Sequence, residues 1–120
     1  MKKLIAMLLV LITLAAPALA ETPVLGGWNV AEETAVTEEI RALLEKALEG
    51  FVGSDFVPVA YLGSQIVAGT NHCILCQRTV VYPGAQPVYT LVYLYEKLDG
   101  TVEILNMCDL DLGALAEKAE

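Results

Sequence analysis

The chain has 120 residues, 56% of them hydrophobic, and carries 15 acidic against 7 basic residues for a net charge of -8. That length allows about one small domain. The acidic balance disfavours nucleic acid and anionic membranes, and leaves a protein or a small molecule as the expected class of partner.

The first twenty residues read as a secretory signal peptide. Lys2 and Lys3 open it, Leu4 to Ala16 is apolar apart from Thr13, and Pro17 leads into Ala18-Leu19-Ala20, the small-x-small form that signal peptidase cuts. An uncleaved anchor is the alternative. The run is short for a membrane span, and no stop-transfer segment follows. Cleavage after Ala20 leaves 5 basic residues against 15 acidic ones, a net charge of -10. The expected location is extracellular, or periplasmic in a Gram-negative cell, with no membrane attachment after cleavage. The Met-Lys-Lys start has a bacterial look.

Residues 21–36 form an N-terminal arm. Gly26 and Gly27 leave its backbone bare and flexible, and Trp28 offers a packing anchor. Thr37 is placed to cap a helix, with Glu38 and Glu39 at its positive end. Ile40, Leu43, Leu44, Ala47, Leu48 and Phe51 then recur at helical spacing, and Gly50 or Gly53 is the expected stop. The spacing predicts one long amphipathic helix.

After Phe56 the period changes. Phe56–Val67, Thr70–Tyr82, Val88–Leu98 and Thr101–Met107 are rich in Val, Ile, Tyr and Thr and are separated by turn residues. They read as four consecutive antiparallel strands. Pro58 belongs at a strand start or a bulge. Asp99-Gly100 favours a two-residue turn with positive φ at both positions. Val92 and Leu94 share one face of their strand, and Tyr89, Leu91, Tyr93 and Tyr95 share the other. Neither face is plainly polar, so the face away from the helix carries either an apolar patch for a partner or second copy, or scattered tyrosines of no special role.

The order of a Gly-Gly arm, a helix, a strand, a Gln-x-Val-x-Gly turn and further strands resembles the cystatin family. Gln65-Ile66-Val67-Ala68-Gly69-Thr70-Asn71 is most similar to the stefins, and Leu25-Gly26-Gly27-Trp28 to the plant cystatins. The resemblance implies an α+β fold, one long α-helix wrapped by a four- to five-stranded antiparallel sheet, over residues 37–112, with a tail at 113–120. It also implies inhibition of papain-like cysteine proteases by a wedge with three edges. Val24 and Leu25 would enter non-primed pockets, and Gly26 and Gly27 would pass close to the protease backbone. Gln65, Ile66, Val67, Ala68 and Gly69 would form the first hairpin of the wedge, and Asp99 and Gly100 would mark the second. The second hairpin departs from the family in being short and in having no Pro-Trp pair. A non-inhibitory binding or assembly module of the same fold, including a homodimer, is the alternative.

The residues themselves support a contact role for the first hairpin. Ile66, Val67 and Ala68 make an unusually apolar turn, where a purely structural one is more often rich in Asn, Asp or Ser. A stiff hairpin also loses little entropy on docking.

Other chemistry is weaker. Cys73 and Cys76 lie three residues apart, which in a strand means roughly 10 Å and opposite faces, beyond the ~7 Å between Cα atoms that a disulfide tolerates. Cys108 falls two strands away from them in the expected meander, so no zinc set forms. Cys76 reads as a small buried residue, and Cys73 as partly exposed or under a partner. His72, the one histidine, reads as a surface or core-edge residue. No catalytic motif and no cofactor site is visible, so the chain is read as a non-enzyme.

Overall fold

The computed structural model describes residues 26–118. The signal-peptide reading, with Val24 and Leu25, lies outside these residues. The described chain runs β1 (Trp28–Val30), α1 (Glu38–Ala47), β2 (Ser54–Val67), β3 (Gly69–Val80), β4 (Val88–Glu96), β5 (Val102–Asp109) and α2 (Leu112–Lys118). The five strands form one sheet in sequence order, and every neighbouring pair is antiparallel.

Alternation decides which face is covered. Ile74, Cys76, Val92 and Leu94 are fully buried, with Leu44 of α1 packed onto them. Ile40, Leu43, Ala47, Leu48, Phe56, Tyr61, Val102, Ile104 and Met107 complete that core. Burying such side chains stabilises by about 1.5–3 kcal/mol each. The period-2 face of the sheet and the stripe of α1 therefore find each other because both must leave water.

The expected fold needs correction. Among the described residues the protein is mostly a five-stranded antiparallel sheet with two short helices, and no long helix is wrapped by that sheet. α1 spans 10 residues and lies against β4 and β5. Its start is as the sequence implies, with the Ile40 N–H donating to the Thr37 hydroxyl at 3.2 Å. Its end comes early. Leu48 is the C-cap and donates its N–H to the Leu44 carbonyl. Gly50 and Gly53, at φ +82° and +100°, then turn the chain away. Phe51 continues the apolar period but acts from the loop, edge-on to Phe56 with ring centroids 5.5 Å apart. An apolar residue one turn past a cap thus mimics a longer helix.

Two further expectations change. The arm, expected to be bare and flexible, forms from Trp28 the edge strand β1, paired antiparallel to β2. The tail contributes α2, whose first turn is closed by the Ala114 N–H donating to the Asp111 carboxylate at 3.0 Å. Pro58 does stand at a bulge between Pro58 and Ala60.

Candidate functional site

The strand registers bring the arm and both hairpins to one end of the sheet. Trp28 pairs with Gln65, Val67 with Gly69 across a one-residue apex at Ala68, and Thr70 with Glu96, whose strand then enters the second hairpin. Gly26, Gln65, Ile66, Val67, Ala68, Gly69, Asp99 and Gly100 therefore belong to adjacent segments at that end. Gly27 links Gly26 to β1.

The first hairpin is braced from behind. Gly69 is buried at φ +112°. A Cβ there would run into the Glu96 carbonyl oxygen and lie 3.0 Å from the Tyr95 ring. The Tyr95 hydroxyl donates to the Ala68 carbonyl and so holds the apex. Glycine is demanded twice at this position, by conformation and by close approach. The apolar side chains are left facing out: Val67 is 42% exposed, and Ala68 is exposed beside it.

The arm is fixed to the same hairpin. The Gly26 N–H donates to the Ile66 carbonyl at 3.0 Å. The Gln65 side-chain amide donates to the Gly26 carbonyl at 2.9 Å and accepts from Asn71 at 2.8 Å. Trp28 packs edge-on against Tyr93, centroids 5.6 Å apart. Gly63 makes this approach feasible, since a Cβ there would lie 2.5 Å from the Asn29 carbonyl oxygen.

The second hairpin is built differently from the expected two-residue turn. Lys97 N–H donates to the Thr101 carbonyl, and Leu98, Asp99 and Gly100 form the loop. Only Gly100 has positive φ, at +91°; Asp99 does not. This is the three-residue hairpin pattern in which a glycine closes a turn. Asp99 accepts from the Thr101 N–H at 2.9 Å and from the Thr101 hydroxyl at 2.7 Å. These bonds hold its carboxyl below the usual aspartate range. Lys46 of α1 donates to the Gly100 carbonyl at 3.0 Å. The apolar element of this loop is Leu98, 85% exposed.

The sequence places Asn71 and Leu98 in the two hairpins without assigning their side chains a part, and it gives no sign of Tyr95 as a member of this end. For Leu98 a signal was present, an apolar residue directly before a polar turn. For Tyr95 and Asn71 the signal was the strand register, which a sequence leaves open by several residues.

Behind the end lies a polar chain. Tyr61 and His72 Nδ1 are 2.7 Å apart, and His72 Nε2 is 2.9 Å from the Glu96 carboxylate. His72 is 7% exposed, so it is buried rather than at the surface or core edge. His72 and Glu96 line, with Leu43, Lys46 and Gly100, an open groove of about 480 Å³ between α1 and the sheet. The arrangement links β2, β3 and β4. Burial, ahead of all other causes, pushes the Tyr61 phenol above its ordinary value, the opposite of an activated nucleophile.

All three cysteines are free. Burial pushes the Cys76 thiol up to about 11, which makes it an inert core group. Cys73 is covered by the chain itself, at 6% exposure, in a small recess shared with Trp28, Gly63 and Tyr93. Among the described residues no group of His, Cys, Asp and Glu is arranged to hold a metal ion. No helix among them is long and apolar enough to cross a membrane.

The chain matches no family model, no curated protein and no solved structure.

Proposed function

We propose that the protein is an exported inhibitor of papain-like cysteine endopeptidases, acting through the sheet end that carries Gly26, the Ile66–Gly69 hairpin and Leu98. One observation carries the reading: three chain segments lie side by side at one end, the first hairpin apolar at Val67 and Ala68 and the second at Leu98, and the first hairpin is braced by Tyr95 and Gly69. A preformed apolar edge of this kind suits a narrow cleft, because little order is lost on entry. Leu98 supplies the apolar side chain that the short second hairpin otherwise lacks. The apex Ala68 is small enough to approach a catalytic cysteine without filling a specificity pocket. Titration of active papain at micromolar protein tests the reading: progressive loss of hydrolysis is expected, and full activity with the sheet intact by circular dichroism would end it.

A second reading rests on the uncovered sheet face. Trp28 at 45%, Val57 at 57% and Leu105 at 53% exposure stand on strands whose opposite side is the core. An assembly module, including a homodimer, would cover them. Light scattering separates the two readings: a stable dimer that leaves papain untouched favours assembly.

A further inference from the structure

Gln65 stands in the turn motif, yet its side chain faces the protein's own arm. Its amide group is bonded within the chain on both its nitrogen and its oxygen. The N–H side reaches the Gly26 carbonyl at 2.9 Å, and the oxygen receives the Asn71 amide at 2.8 Å. Gln65 is also the register partner of both neighbours: Trp28 on the arm side and Asn71 on the β3 side. The backbone adds the Gly26 N–H to Ile66 carbonyl bond, so Gly26 is gripped at both its donor and its acceptor.

We propose that Gln65 is a positioning residue, a clasp with Asn71 that fixes the arm beside the hairpin tip, and that it makes no direct contact with the partner. β1 has only three residues. It is an edge strand of the sheet, so its last residues toward the tip have one neighbour only, and side-chain bonds there add to the few backbone bonds that hold the arm. Gly63 admits the arm backbone, Trp28 anchors it on Tyr93, and Gln65 closes the end nearest the tip. A glutamate in this place would still accept from Asn71 but would turn a lone pair toward the Gly26 carbonyl. A methionine of similar length would lose both bonds.

Hydrogen exchange on the chain as expressed tests the clasp without any protease. In Gln65→Met and Gln65→Glu, the Gly26 amide should exchange about tenfold faster, the size of one lost hydrogen bond. Amides of β3 and β4 should keep their protection. Gly63→Ala, which leaves Gln65 intact, should free the same arm amides by excluding its backbone. Unchanged exchange at Gly26 in both Gln65 variants would overturn the clasp.

A second arm of the test rests on the proposed inhibition and asks where Gln65 acts. Gln65→Met should weaken papain inhibition in the intact chain and have no effect in a chain that starts at Gly27, which has lost the Gly26 acceptor. An equal loss in both backgrounds would mean direct contact with the protease and overturn the proposal. If the intact chain does not inhibit papain at all, the functional reading fails while the exchange result still decides the clasp.

Discussion

The two hairpins at the arm end of the sheet use glycine for different reasons. Gly69 is buried against the backbone of Glu96, and space as well as φ excludes a side chain. Gly100 has positive φ but open space around an added Cβ. The first hairpin is apolar and braced by Tyr95 from the neighbouring strand. The second is closed by its own polar residues, Asp99 and Thr101, with Lys46 reaching in from α1. Rigidity in the first comes from the sheet, and in the second from local hydrogen bonds. The same glycine-marked pattern in a sequence can thus stand for a packed tip or for an open turn.

The largest expected effect comes from filling the space at Gly69. Gly69→Ala should lower the free energy of unfolding by about 3 kcal/mol, from positive φ and a backbone collision together. Gly100→Ala should cost about 1 kcal/mol, from φ alone. Urea unfolding of both variants measures the pair, and equal losses would erase the distinction between the two tips.

Leu98→Asp should leave stability within about 0.5 kcal/mol, because the residue is 85% exposed. It should weaken papain inhibition about tenfold, the size of a moderate interface truncation. Unchanged inhibition would remove the second hairpin from the contact surface.

Tyr95→Phe removes the bond to the Ala68 carbonyl and should cost about 1 kcal/mol. Faster amide exchange confined to residues 66–70 is the expected sign of a loosened apex. Exchange that rises instead in the second hairpin would place the brace elsewhere.

Acid should act on the second hairpin and spare the first. The bonds from Thr101 hold Asp99 below its ordinary range. A depressed carboxyl contributes above its unfolded pKa, and that contribution fades as pH falls through the lower folded value. The Thr101 amide resonance should therefore stay fixed near pH 5 and shift only below the ordinary aspartate range. The resonances of Ala68 and Gly69 should not follow it. A Thr101 midpoint at the ordinary aspartate value would show that the turn bonds are absent in solution.

How much of this was legible follows from which forces are local. The strands could be read because Val, Ile and Tyr alternate between clear turn residues, and the Thr37 cap because it needs only three following residues. Helix length was misjudged because Phe51 obeys the helical period while packing from a loop onto Phe56. β1 was hidden because Trp28, Asn29 and Val30 have little signal of their own and pair only where Gly63 leaves room. Gln65 and Gly69 were visible as a motif. Their working partners Gly26, Asn71 and Tyr95 depend on register, which no local pattern sets. His72 looked peripheral because its partners, Tyr61 and Glu96, come from two other strands.

The proposed inhibition requires the braced apolar tip to occlude the cleft of a papain-like protease. Titrating active papain with the protein and with Gly26-Gly27-Gly69 intact, while following hydrolysis of a small peptide substrate, addresses it directly. Stoichiometric or micromolar inhibition is expected, competitive with substrate and lost on Leu98→Asp combined with deletion of the arm. Full papain activity in the presence of the folded protein, or inhibition unaffected by that double change, would contradict it.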